Sequence, residues 1–149
     1  SEVASNGAGS PVDLQRTVAT WNAQAATTGA NSKYVTSVCF ETAAAAVTCP
    51  VVAVGAVPTG NITVSFNAGT LGVTAAANTL RLYPLVRTGA SDATGGGAIT
   101  LAAAQAAGTS GSIDWACTSA TNVAAAAMTT AADVPAATLL AKYAPAVCR

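Results

Sequence analysis

Gly111-Ser112-Ile113-Asp114-Trp115-Ala116-Cys117-Thr118 is the stretch that decides the architecture, taken with a second cysteine, Cys148, one residue before the end of the chain. The stretch reads as a β-strand anchored by Trp115, and as the last strand of the molecule. Beyond it the chain runs as Ala-rich helical or irregular pieces to Pro135, then through Thr138-Leu139-Leu140-Ala141-Lys142-Tyr143-Ala144-Pro145. A bridge from Cys117 to Cys148 would clamp this whole tail back onto the last strand. Residues 118–147 are rich in Ala and poor in strand pattern, so they are expected to be anchored mainly at their ends.

Upstream, the period of two recurs. Thr79 to Arg87 places Leu80 and Leu82 on one face and Arg81 and Tyr83 on the other. Ile62 to Phe66 is a strand that follows a Pro58-Thr59-Gly60-Asn61 turn. Lys33 to Glu41 is a third, with Tyr34, Thr36, Val38 and Phe40 alternating against Val35, Ser37 and Cys39. Val47 to Val54 is also strand-like, demoted to an edge by Pro50. Residues 67–78 and 88–98 read as Gly-rich loops, and 99–107 stand undecided between strand and helix.

Before the strands lies a helix over about 11–28. Ser10 is its N-cap, Pro11 fits the first turn, Asp13 faces the positive end of the dipole, and Leu14, Val18, Trp21 and Ala25 line one face. Gly29 closes it. SEVASNG, residues 1–7, looks like the end of a helix that began earlier, stopped by Gly7.

Composition sets the energetic problem. The chain has 149 residues, 38 of them Ala, with six acidic against six basic side chains and a mean hydropathy of +0.48. Zero net charge and positive hydropathy argue against disorder. Burying Ala gains far less than burying Leu, at roughly 25 cal/mol per Å², so covalent staples matter. Cys39, Cys49, Cys117 and Cys148 fit no zinc spacing and read as two disulfides in an oxidising compartment. Of three possible pairings, proximity favours Cys39–Cys49 and Cys117–Cys148. Loops of those lengths are stabilised by about 2.8 and 3.7 kcal/mol in the chain-entropy description.

Chemistry is sparse. The chain has no His, which removes the commonest general base and metal ligand. Its carboxylates are scattered, no Asp-rich calcium loop is present, and Gly95-Gly96-Gly97 lacks the Lys-Ser/Thr of a phosphate loop. No basic stripe is available for nucleic acid. The apolar runs around Val51 to Val57 and Val123 to Met128 are too short to cross a bilayer. An enzyme, a cofactor and a bound metal are therefore not expected.

Five blocks carry a resemblance: SEVASNG at the start, NSKYVTSVCF, GNITVSFN, SIDWACTSA, and LLAKYAPAVCR at the terminus. Together they resemble the major pilins of type IV pili, of the type IVa kind. That resemblance implies an α+β fold: a long N-terminal helix packed on a four-stranded antiparallel sheet, with a disulfide-closed C-terminal loop. It implies one globular domain over 1–149. Residues 1–28 would form the end of the long helix and the helix–sheet loop, 33–118 the sheet with an insertion at 41–58, and 117–148 the disulfide-bounded region. The hydrophobic first half of the helix would be missing, leaving an ectodomain.

By the same resemblance, the partners are other pilin subunits in a helical homopolymer, the inner membrane through the missing helix, and host-cell or abiotic surface receptors. The expected place is the cell-surface pilus of a Gram-negative bacterium, with an inner-membrane pool before assembly. The expected roles are twitching motility, adhesion and biofilm formation, with Lys142, Tyr143 and Pro145 in a candidate receptor region. A minor pilin or secretion pseudopilin is the same-fold alternative, and a secreted glycan-binding module the alternative from another class. The Cys39, Cys49 pair and the insertion Glu41 to Pro58 depart from the common pattern.

Overall fold

The computed structural model describes residues 7–88 and 96–149. The expected helix end at 1–7, apart from Gly7, and most of the 88–98 loop lie outside the described residues.

Helix α1, Pro11–Asn22, begins as the sequence dictates. Ser10 Oγ accepts the Asp13 amide at 3.1 Å and donates to the Asp13 carboxylate at 2.7 Å, so cap and third residue satisfy each other. The buried face of α1 carries Leu14 and Val18, both fully enclosed. The expected continuation to residue 28 is corrected, because the helix stops at Asn22. Asn22 is buried, and its side-chain carboxamide is bonded to strand β1, Val35–Phe40. It donates to the Phe40 and Pro50 carbonyls at 3.2 and 2.9 Å and accepts the Phe40 amide at 2.8 Å. After it, the short segment α2, Gln24–Thr27, turns through left-handed backbone at Ala25 and Ala26.

This turn carries the chain along the outer edge of β1. Val38 donates its amide to Thr28 O at 3.0 Å, and the Trp21 indole donates to Val38 O at 2.8 Å. An open strand edge is a template for unwanted pairing. Here the edge is filled by the helix, its side chains and the turn. Gly29, at φ 68°, makes that approach possible: a Cβ there would run into the Val38 carbonyl and the Trp21 indole.

The expected strand over Val47 to Val54 is corrected for the same reason. With the β1 edge occupied and Pro50 lacking an N–H, the segment pairs with nothing and runs as a loop. It is fastened all the same. Cys49 donates its amide to Thr27 O, Gln15 donates to Ala53 O, and Cys49 is disulfide-bonded to Cys39. At its far end Glu41, itself at φ 64°, accepts the amides of Thr59 and Gly60 and the Thr59 hydroxyl, while its own amide donates to Asn61 O. The loop therefore closes on itself beside the start of strand β2, Ile62–Phe66.

The sheet has five strands, not the four expected. After β2 come the short helix α3, Ala68–Leu71, and the central strand β3, Thr79–Arg87. Then follow β4, Ala98–Thr100, helix α4, Leu101–Ala107, and strand β5, Ser112–Thr118. All pairings are antiparallel. The undecided segment 99–107 is thus divided: its first residues complete β4, and Thr100 then caps α4 by accepting the Ala103 amide at 3.2 Å.

Strand β3 organises the rest. β5 pairs with it from Arg81 to Arg87, while on its other edge β2 pairs with Thr79 to Leu82 and β4 with Leu85 to Arg87. Pro84 falls in the gap between those two partners. A proline is tolerated in a central strand where no neighbour needs its missing N–H.

Both faces of β3 are covered. Phe40, Val86, Leu101 and Ala104 pack with Leu14 and Val18 of α1. Leu80 packs with Cys117, Leu139, Ala144 and Cys148 of the tail. Tyr83 and Leu85, of opposite parity to Leu80 and Val86, pack with Ala98, Ala116, Ala125 and Val134. The last residues belong to helix α5, Val123–Ala126, and the irregular chain behind it.

The tail is therefore not held mainly at its ends, which corrects that expectation. Val134 and Leu139 are fully buried. Tyr83 donates its hydroxyl to Pro135 O at 2.6 Å, Thr118 donates to the same carbonyl at 3.0 Å, and the Thr79 and Thr138 hydroxyls meet at 2.7 Å. Small side chains leave backbone polar groups within reach of strand hydroxyls, and those bonds replace the large apolar anchors the sequence lacks.

Candidate functional site

Few reactive groups converge anywhere in the described structure. Asp13 faces Arg16, Asp114 pairs with Arg87, Glu41 fills the Thr59–Gly60 cradle, and Asp133 accepts the Thr129 and Thr130 hydroxyls. Each carboxylate holds a turn, a cap or a strand end. No group of three or more His, Cys, Asp or Glu lies together among the described residues. Among the described residues Tyr83 is the one group with a clear perturbation. Burial pushes its hydroxyl above the usual 10.0, opposed by the Arg81 charge and by hydrogen bonding to Thr118. That tyrosine is an anchor for the tail rather than a reagent.

What the fold presents instead is surface. The two bridges are Cys39–Cys49, with Cα atoms 5.1 Å apart, and Cys117–Cys148, at 4.5 Å. Each fixes the base of one presented segment. The second holds the C-terminal turns 141–143 and 146–148, where Ala144 and Cys148 point inward and the residues between point out. Lys142, Tyr143 and Pro145 are all exposed, and the Lys142 ammonium lies 4.8 Å from the centre of the Tyr143 ring. The structure thus brings these three onto one short turn, backed by Leu139 and the disulfide.

The first bridge fixes the 41–58 loop, which the sequence flagged only as an insertion. Residues 42–61 carry no charged side chain. Val47, Val51, Val54 and Val57 all stand in solvent, with Val51 at 96% and Val54 at 101% exposure. Nothing in the local sequence distinguished these valines from strand valines. The missing signal was the occupied edge of β1, which is a tertiary fact.

No protein-family model matches the chain, and no curated protein matches it. A solved structure does: the type IV pilin of Pseudomonas aeruginosa strain Pa110594. It superposes with a TM-score of 0.80 at 38% identity, over 99% of this chain and 86% of that one. The chain belongs to the type IV pilin family. Its fold is the pilin fold, a helix with an antiparallel sheet of five strands and a disulfide closing the C-terminal region. No helix among the described residues of this pilin is long and apolar enough to cross a membrane.

Proposed function

We propose that this pilin is the structural subunit of a type IV pilus, a major pilin carried on a hydrophobic helix ahead of residue 1 and polymerised into cell-surface fibres. On this reading residues 1–149 are a single globular unit without catalytic activity, and the fibres serve twitching motility, adhesion and biofilm formation. One observation carries the proposal: the likeness to a solved type IV pilin along almost the entire chain. The surface supports it. With six charges of each sign and an uncharged loop of outward valines, many copies can pack closely without mutual repulsion. The C-terminal turn with Lys142, Tyr143 and Pro145 is the proposed receptor-facing region, since it is exposed, rigidly backed and rich in contact chemistry.

The pseudopilin alternative is disfavoured by the placement of the C-terminal carboxylates. Asp114 is paired with Arg87 at one end of β5, and Asp133 is held by its own turn. The test is to express the membrane-anchored form of this chain in a cell lacking its own major pilin. Filaments along which an antibody to residues 1–149 decorates the whole shaft are expected. Decoration confined to tips, or no filaments despite stable membrane protein, refutes the major-pilin reading.

A further inference from the structure

The chain that enters α1 doubles back on it. Gly7 is buried, and a Cβ built there would lie 3.0 Å from Leu14 Cδ1, 3.3 Å from Leu14 Cα and 3.4 Å from Thr17 Oγ1. A helix running straight into α1 would put residue 7 roughly 10 Å along the axis from residue 14. Residues 7–10 are therefore a tight reversal and not a continuation. The sequence enforces it. Ser10 is extended and caps α1 itself, and Pro11 has no N–H with which to take the Gly7 carbonyl four residues back.

One side chain takes the carbonyls that the reversal leaves over. Gln105 Nε2 donates to Gly7 O at 3.0 Å and to Ala8 O at 3.3 Å, from 98 and 97 residues away in sequence. Gln105 shares the inner face of α4 with Leu101 and Ala104, which pack with Leu14 and Val18 of α1. The latch is thus mounted on the same packed layer as the helix it serves. On its other side the reversal borders a cavity of about 380 Å³, shared with residues 108–111, so packing alone leaves it room to swing. Glutamine is also a costly choice at this place. Its Oε1 is buried with no hydrogen-bond partner among the described residues. A stranded buried acceptor costs free energy that an apolar side chain of similar length avoids. What the amide supplies against that cost is the pair of bonds to residues 7 and 8.

We propose that Gln105 is a positioning residue for assembly: it holds the entry to the domain at one angle, so that a helix ahead of residue 1 carries the globular unit into the fibre already oriented. The inference rests on the major-pilin reading above and adds to it the residue that sets the joint. Association is tighter when the parts are ordered beforehand than when binding must order them, and in a fibre every subunit meets that cost. Two net hydrogen bonds hold the closed reversal over an open one by a ratio of roughly tenfold to a hundredfold.

Two variants separate the latch from the stability of the fold. Gln105→Met removes the donors and the stranded oxygen while keeping length and packing. Gln105→Glu, ionised at neutral pH, can only accept and so repels both carbonyls. In the 149-residue chain, the heteronuclear NOE at the Ala8 and Gly9 amides should match that of α1 in the parent and fall in both variants. The lost bonds and the removed oxygen offset each other in Gln105→Met, so its Tm should stay within about 3 °C of the parent's, which a merely structural glutamine would not allow. In the membrane-anchored form, expressed in a cell lacking its own major pilin, both variants should build filaments roughly tenfold less well than the parent at equal subunit level. The proposal is overturned if Ala8 and Gly9 stay as rigid in both variants as in the parent. It is overturned equally if Gln105→Met melts far below the parent, or if variants with a loosened reversal assemble as the parent does. Filaments absent from the parent as well refute the major-pilin reading instead, and the relaxation and melting results then decide the latch by themselves.

Discussion

Asn22→Ala removes the one side chain that joins α1, β1 and the 41–58 loop. The alanine loses three hydrogen bonds at 2.8, 2.9 and 3.2 Å and leaves the Phe40 amide and the Phe40 and Pro50 carbonyls without their partner. A net bond contributes about 0.5–1.5 kcal/mol, and a stranded buried group costs about 1–3 kcal/mol. Some of the carbonyl loss is recovered by water, since the Pro50 bond is only part-buried. The expected loss is about 2–4 kcal/mol, a large part of a typical domain's stability. For a chain of this length that is a fall of roughly 5–15 °C in Tm. Urea unfolding with both disulfides intact measures the first quantity, and hydrogen exchange at the Phe40 amide locates it. Asn31→Ala, which removes a bond between exposed side chains, is the control and should change stability by less than about 0.5 kcal/mol. A loss below about 1 kcal/mol in Asn22→Ala, with Phe40 exchanging as slowly as before, would refute the claim that this amide seals the strand edge.

Three further outcomes follow from the same structure. Cys117→Ala with Cys148→Ala should cost about 3.7 kcal/mol in the chain-entropy description; exchange should quicken over 139–148 but stay slow at Ala137, whose amide donates to Ser119 O in a stretch that the Tyr83 and Thr118 bonds to Pro135 hold independently. Gly29→Ala should destabilise by more than about 2 kcal/mol, read by thermal melting, since both its φ and the Val38 carbonyl exclude a Cβ; a melt like the parent's sinks the close-approach argument. Tyr83 ionises later in the folded than in the unfolded chain, so the unfolded state gives up its proton first as pH rises. Its contribution is whole below pH 10.0 and is lost as pH climbs from there through the folded value. Ultraviolet titration of the parent minus Tyr83→Phe should show one tyrosine ionising above pH 10.0, and a difference curve centred at or below it contradicts the burial assigned to this ring.

The strands with regular alternation were legible because their period is written locally: Ile62–Phe66, Thr79–Arg87 and Ser112–Thr118 lie where the sequence placed them. So was the start of α1, since Ser10, Pro11 and Asp13 act within one turn. Its end was not, because the left-handed turn at Ala25 and Ala26 serves contacts with a strand more than ten residues on, such as the Val38 amide on Thr28 O. Val47 to Val54 misled for a related reason. A run of valines reports a preference for extended backbone, but pairing needs a free edge, and whether β1 has one depends on where Trp21 and Thr28 sit. The tail shows the same limit in reverse: its alanines carry no periodic signal, yet Pro135 and Thr138 are gripped by residues of β3 and β5. The turn with Lys142, Tyr143 and Pro145 was reached through resemblance, whereas the latch at Gln105 joins residues 98 apart in sequence, which no local window contains.

The clasp at Glu41 has a practical consequence. Because its carboxylate, two residues along from the cysteine that Cys49 is bonded to, takes the amides of Thr59 and Gly60, the excursion from 41 to 59 leaves and rejoins the sheet at the end of β1. Beside that clasp strands β1 and β2 pair from Ser37–Ser65 to Phe40–Ile62. Entropy adds only a slow, logarithmic charge for lengthening such a loop. Residues 54–57, beyond the Val52 and Ala53 attachments to α1, are therefore a ready insertion port: a foreign peptide spliced there would be displayed on the outside of every copy of the protein without asking the sheet to refold around it.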